Sequence, residues 1–345
     1  MASLPNPIEM VIFKTPCAII VACLCHQWVT RAMFVPASVQ QKEMIDLIKQ
    51  LAPHEGYTRT LLESVRLMRA DHPLGRTPVL YEPSIVIVCQ GSKRGYVADR
   101  IFSYDAQHYL VLSVPLPFST ETFASKEEPL LAISVRLNMT SIADLVLEVD
   151  RQASGAMADP MGIVSTPLDG ALADTALRLL RALTDSLEAR VLGPGIVREL
   201  CFRVLTGVQG GAIRAALASH GSFGRIARAL KRIHDDYAQA LDVGLLSGEV
   251  GMSIPTFHAH FKTVTGTSPV QYIKSVRLHQ ARLLMIRDNL TAAGAAVRVG
   301  YESPSQFNRE FKRTFGRTPG EEAREMKMLF ALMPITQLEG IAATH

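Results

Sequence analysis

The sequence predicts an α+β fold in two parts, an antiparallel β sandwich or small barrel carrying helices, followed by an all-helical C-terminal region. Three observations lead there. Short β-prone runs at about 8–12-residue spacing occupy the stretch from Pro78 to Leu137. From Ser141 onward the apolar period becomes helical. Between Ser253 and Pro319 one segment recurs at an offset of 50 residues.

Composition narrows the classes. A chain of 345 residues corresponds to about two domains at roughly 150 residues each. With 48% hydrophobic and 20% charged residues and no low-complexity tract, it is not disordered, collagen-like or a multi-span membrane protein. The net charge of +4 conceals an asymmetry: Gly221 to Gly320 holds 14 Lys and Arg against 7 Asp and Glu, a net of +7, so the remainder carries −3. A basic block beside a mildly acidic one points to a nucleic-acid partner for the block.

Residues 1–35 read as an extension, with Met33 a candidate start. The apolar run Pro16 to Cys25 is shorter than the ~20 residues of a bilayer span. It also lacks the basic n-region of a signal peptide, because Glu9 offsets Lys14. The expected compartment is therefore the cytoplasm, without a membrane partner. Cys23, Cys25 and His26 lack the second ligand pair that a zinc site would bring, so no metal is expected. Met44, Ile45, Leu47, Ile48 and Leu51 mark one face of a helix from Val39 to Leu51, stopped by Pro53.

Strands are expected at Val79, Ile85–Val88, Tyr96–Val97, Tyr109–Leu112 and Leu130–Ile133, with turns at Gln90-Gly91-Ser92 and Ala98-Asp99-Arg100. Such a shape can hold a small ligand. Three helical stripes follow. The first holds Ile142, Leu145, Val146 and Val149. The second runs from Leu172 to Leu187 and ends at Gly193-Pro194-Gly195. The third holds Val197, Leu200, Val204 and Leu205. The leucines fit equally a dimer contact and packing on the domain's own sheet. The regulatory part is set at residues 36–215, the joint at Ile213 to Gly224, the basic domain at 225–323 and a tail at 324–345.

The repeat carries the most information. Ser253, Phe257, Phe261, Lys262, Gly266 and Pro269 return as Ser303, Phe307, Phe311, Lys312, Gly316 and Pro319, and Val250-Gly251 returns as Val299-Gly300. Each copy has a short helix ending at a glycine and a second helix starting at a serine cap, the order of a helix-turn-helix. These units span 243–264 and 292–315. Phenylalanines at i and i+4 face the small core, Phe257 and Phe261 in one copy and Phe307, Phe311 and Phe315 in the other. The opposite faces are free to enter a major groove. Copy two offers Ser305, Asn308 and Arg309 as base readers, since Asn and Arg make bidentate bonds to adenine and guanine. Copy one offers the poorer set Pro255, His258 and Ala259. Lys262, Lys312, Arg313, Ser253 and Ser303 are assigned to phosphate contacts. The long helix from Val270 to Arg287 is a rigid spacer, suited to holding two recognition helices about one duplex turn apart.

These residues resemble the AraC/XylS family of bacterial transcription regulators. The resemblance rests on Val276-Arg277-Leu278, Ala281-Arg282 and Leu284 in the spacer helix. It rests further on Val299-Gly300-Tyr301, Ser305 to Arg313, Phe315-Gly316 and Pro319. It implies a double helix-turn-helix DNA-binding domain over Arg225 to Ala323. More weakly, Thr77 to Pro83, Cys89-Gln90-Gly91 and Asp105 to Pro117 resemble the N-terminal regulatory domain of one branch, which implies a cupin-like β-barrel followed by helices. The expected function is sequence-specific, effector-responsive transcription regulation, more in the direction of activation. The expected partners are double-stranded promoter DNA and RNA polymerase, with a small-molecule effector and a second copy of the chain as further partners. Where many members carry a polar reader in the first recognition helix this chain has Ala259 beside His258, which shifts specificity to copy two. Gly294 costs the penultimate helix about 1 kcal/mol relative to Ala.

Other readings rank lower. G-x-S-x-G, phosphate-loop, G-x-G-x-x-G and H-E-x-x-H motifs are missing, so no enzyme and no cofactor is expected. An alkyltransferase fusion would need a reactive cysteine, for which Cys201 between Arg198 and Arg203 is the nearest candidate. His54, His72 and His108 lack the tight H-x-H spacing of a cupin metal site. A non-specific architectural DNA binder is the stronger rival.

Overall fold

A computed structural model describes residues 38–150, 162–208, 210–218 and 221–331. The N-terminal extension, its Cys23–His26 cluster and the tail beyond 331 lie outside the described residues. Helix α1 (Val39–Leu51) has the bounds its periodicity predicts and buries Met44 and Ile48. Nine strands follow: β1 (Gly56–Arg59), β2 (Val65–Ala70), β3 (Leu74–Tyr81), β4 (Ser84–Gln90), β5 (Ser92–Val97), β6 (Arg100–Asp105), β7 (His108–Leu112), β8 (Leu116–Phe123) and β9 (Leu130–Arg136). Then come α2 (Met139–Asp150), β10 (Ile163–Pro167), α3 (Gly170–Ala182), α4 (Ser186–Val191), α5 (Gly193–Thr206) and α6 (Gly210–Leu217).

The strands form two antiparallel sheets, β1-β2-β9-β4-β7-β10 and β3-β8-β5-β6. The expected barrel is thus cupin-like in its stacked sheets but not closed, since no described strand pairing joins one sheet to the other. The uninterrupted run Ile85-Val86-Ile87-Val88 follows from β4 being central and covered on both sides. Ile85, Ile87 and Cys89 face a cluster with α1, α3 and α5, while Val86 and Val88 face Tyr81, Phe118 and Leu116 of the other sheet.

Four expectations need correction. The chain is not purely helical after Ser141, because β10 pairs antiparallel with β7, Ile163 opposite Leu112. The second leucine stripe is two helices, with Leu180 buried in α3 and Leu187 65% exposed in α4. Gly193-Pro194-Gly195 opens α5 rather than ending a helix, Pro being tolerated in the first turn. The expected joint is itself largely helical, for Ile213 is fully buried in α6 and Gly224 lies in the next helix.

Seven helices complete the described residues: α7 (Ser222–Asp236), α8 (Val243–Glu249), α9 (Ile254–Thr265), α10 (Pro269–Arg287), α11 (Ala292–Arg298), α12 (Pro304–Phe315) and α13 (Pro319–Ala331). The first helix-turn-helix packs directly on the sheets. Phe257, Phe261, Val264 and Tyr272 share one apolar cluster with Val97, Leu116 and Ile163. Gly266, at φ +74, lies so close to the β5–β6 turn that a Cβ there would be 2.7 Å from a Val97 methyl, so glycine is required for both reasons. The Tyr272 hydroxyl donates to the Pro115 carbonyl at 2.7 Å and meets His234 Nε2 at 2.8 Å. Burial lowers the His234 pKa to about 4, so its ring stays neutral in this junction. No helix among the described residues is long and apolar enough to cross a membrane.

Candidate nucleic-acid interface

The repeat becomes two pieces of equivalent local chemistry. Asp242 and Thr291 cap α8 and α11 by accepting from Leu245 N and Gly294 N. Ser253 and Ser303 cap α9 and α12 by accepting from Thr256 N and Gln306 N. Both serines, assigned to phosphates from the sequence, therefore already hold a backbone donor of their own helix. Gly266 and Gly316 end α9 and α12 at φ +74 and +81.

Phe257, Phe261, Phe307 and Phe311 are at most 1% exposed. Phe315 packs against this core from its edge: it is half-buried, with its ring tilted against Phe311 at 4.5 Å and the Arg282 guanidinium 5.1 Å above it.

Opposite this core, α12 presents Ser305, Asn308, Arg309, Lys312 and Arg313, all exposed. Arg309, Lys312 and Arg313 make no ion pair with a described residue. The one acid of α12, Glu310, points inward. It accepts from Lys274 Nζ at 2.7 Å, the Tyr301 hydroxyl at 2.8 Å and Gln306 Nε2 at 3.2 Å. Burial pushes its pKa up, but the Lys274 ammonium and these donors hold it below the ordinary carboxylate value. The solvent face of α12 is thus left uniformly cationic and polar. On α9 the corresponding face is Pro255, His258, Ala259 and Lys262. All are exposed except the half-buried His258, and Lys262 is the only Lys or Arg of the helix.

Sequence reasoning missed a second feature, a cavity of about 590 Å³ between the sheets and the second helix-turn-helix. Lys93 and Tyr81 line it from the sheets, Arg282, Phe315 and Met326 from the helices. Lys93 is 6% exposed and donates to the Tyr81 hydroxyl at 3.1 Å, with no carboxylate beside it among the described residues. Strand parity could have found it, since Lys93 shares the inward face of β5 with Gly95 and Val97. Arg282 could not be found that way, its partner Glu322 being 40 residues away.

The other candidates find ordinary places. His72 contacts Glu55 at 3.2 Å and His108 contacts Asp105 at 2.8 Å. The Cys201 thiol is pushed up to about 11 by burial, the reverse of an activated nucleophile.

Known proteins share this architecture. The family model described as AraC-type transcriptional regulator N-terminus matches residues 61–212, and that described as helix-turn-helix domain matches 246–325. A putative AraC-like transcription regulator of Streptomyces lividans is 29% identical over 175 residues, 48% of this chain and 57% of that protein. The Yersinia enterocolitica virulence regulon transcriptional activator VirF is 29% identical over 125 residues, 36% of this chain and 46% of its own. The chain thus spans about half the length of the curated relatives it matches. In fold it is similar to an apo ToxT variant from Vibrio cholerae, with a TM-score of 0.52, 13% identity, and coverage of 77% of this chain and 99% of the other. Matched over residues 61–212 by the regulator domain and over 246–325 by the helix-turn-helix domain, the chain belongs to the AraC/XylS family of transcription regulators.

Proposed function

We propose that the chain binds specific promoter DNA through α9 and α12 in adjacent major-groove segments, with base readout concentrated in α12. It would act in the cytoplasm on RNA polymerase recruitment, in the direction of activation, as the name of the VirF relative suggests. The observation that carries this reading is the exposed, unpaired cationic and polar face of α12, with its only acid turned inward. Lys262, Lys312 and Arg313 supply the sequence-independent phosphate attraction. Ser305, Asn308 and Arg309 supply discrimination, Arg309 through a fork that fits guanine O6 and N7.

Fluorescence anisotropy on a duplex selected from a random pool tests this division. Arg309→Ala is expected to cost about 1–3 kcal/mol on the selected duplex and little on random DNA. Lys312→Ala is expected to weaken both and to reduce the salt slope by about one charge. Equal losses from Arg309→Ala on both duplexes would favour a non-specific architectural binder instead.

The cavity supports an effector role. Its buried Lys93 ammonium and the Arg282 Nε and Nη1 groups, which lack hydrogen-bond partners among the described residues, would meet an acceptor-bearing end of a small molecule, and Met68, Met326 and Phe315 its apolar body. In a melting-temperature screen of small carboxylates, a hit is expected to lose its shift in Lys93→Met. A shift unchanged by that substitution would place the ligand elsewhere.

A further inference from the structure

The C-terminal helices contain two apolar cores rather than one. Phe257, Phe261, Tyr272 and Val276 belong to the large cluster shared with the sheets, whereas Leu278, Met285, Val299, Phe307 and Phe311 form a cluster of their own. The buried side chains of α10 pass from the first core to the second between Val276 and Leu278, while the half-buried Ile286 packs back against the first. Arg277 is the residue in between.

Its half-buried guanidinium is held by backbone carbonyls on both sides of that division. Nε donates to Tyr237 O at 2.7 Å and Nη2 to Gln239 O at 2.7 Å, both at the end of α7, which packs on α9. Nη1 donates to Gly300 O at 3.1 Å, in the turn between α11 and α12. Gly300 has φ +81, and a Cβ on it would lie 2.4 Å from Ala238 O, so residues 237–239 press directly on that turn. Tyr237 caps the C-terminus of α7, where carbonyl oxygens carry the negative end of the helix dipole and favour a cation. No carboxylate among the described residues pairs with this arginine; its charge is met by the three carbonyls. A planar, permanently charged fork can satisfy three acceptors in fixed directions, which an ammonium cannot.

We infer that Arg277 is a positioning residue that sets the angle between the two recognition helices, and with it the spacing of the two DNA segments the chain accepts. The inference rests on the two-unit DNA reading proposed above. One inserted base pair moves the second segment about 3.4 Å along the duplex and about 35° around it. A second unit tied at Gly300 to the end of α7 cannot follow that displacement. Once the tie is cut, the second core can turn about α10, and the Lys274–Glu310 pair still keeps α12 seated on that helix.

The test uses the full chain and three duplexes: one selected by the wild type from a random pool, the same duplex with one base pair inserted between the two protected segments, and one keeping only the segment whose protection depends on Arg309. The wild type is expected to lose roughly tenfold or more on the inserted duplex. Arg277→Met and Arg277→Lys are expected to narrow that penalty to about threefold, while binding the single-segment duplex within about twofold of wild type. Arg277→Lys keeps the charge and the stem, so it serves where the methionine variant does not fold. An insertion penalty equal to the wild type's in a folded variant overturns the inference. So does a loss on the single-segment duplex that matches the loss on the full one, because that is the signature of a purely structural role. A wild type indifferent to the insertion overturns the two-unit reading itself, and the role of Arg277 with it.

Discussion

Glu322→Ala is expected to destabilise the second helix-turn-helix unit by roughly 3–5 kcal/mol, the cost of leaving a buried charge without its partner. Arg282 is 4% and Glu322 6% exposed, with Nη2 and Oε1 2.6 Å apart. Without the carboxylate, among the described residues that nitrogen keeps only the Met326 sulfur at 3.5 Å, and the guanidinium only the Phe315 ring 5.1 Å beneath it. Neither offsets desolvation of a cation. The pair is nevertheless a weak source of net stability, because desolvating both ions opposes their attraction. The double variant Arg282→Met with Glu322→Leu is therefore expected to recover most of the loss. Urea unfolding followed by circular dichroism measures both, and a single-variant loss below about 1 kcal/mol would show that water reaches the site and screens it.

Phe311→Ala and Phe261→Ala occupy equivalent positions of the repeat and are each expected to cost about 3–5 kcal/mol, with different consequences. Phe311 is fully buried in the small second core, against Phe307 at 5.5 Å and Phe315 at 4.5 Å. Its removal is expected to loosen α11 and α12 and abolish sequence-selective DNA binding, with amide exchange in β4 and β9 unchanged. Phe261 packs edge-on against Tyr272 at 5.3 Å, within the core shared with the sheets. Its removal is expected to raise exchange in the β5–β8 sheet as well. Identical exchange patterns in the two variants would mean that the two cores open as one cooperative unit.

Much of the helical half was legible in the sequence because its determinants are local. A serine cap, phenylalanines four apart and a terminal glycine act within one or two turns, and repeating them at an offset of 50 makes each copy evidence for the other. The same rules sorted α12 into a buried and an exposed face. Phe315 follows them only in part: it packs on the second core but is left half-buried, because Arg282 and the cavity beside it come from other parts of the chain.

The β half was read less completely. Strands covered on both faces, such as β4 and β9, stood out as apolar runs. Edge and solvent-facing strands did not: β1 and β6 carry mostly polar or exposed residues. β10 is a five-residue strand in which only Ile163 and Thr166 are buried, and it is defined by pairing to β7, some 50 residues earlier.

By itself the sequence determined the two-part organisation, the basic C-terminal block, the paired helix-turn-helix units and the helix faces that meet solvent. Each of these follows from spacing along a few turns of chain. Only the tertiary structure decided that the sheets stack without closing, that the first unit shares its core with them, and that Lys93 and Arg282 face one cavity. It alone brought Arg277 to three carbonyls, those of residues 237, 239 and 300. Those features depend on hydrogen bonds and burial between residues tens of positions apart, and no local periodicity encodes which distant partner a buried charge will meet.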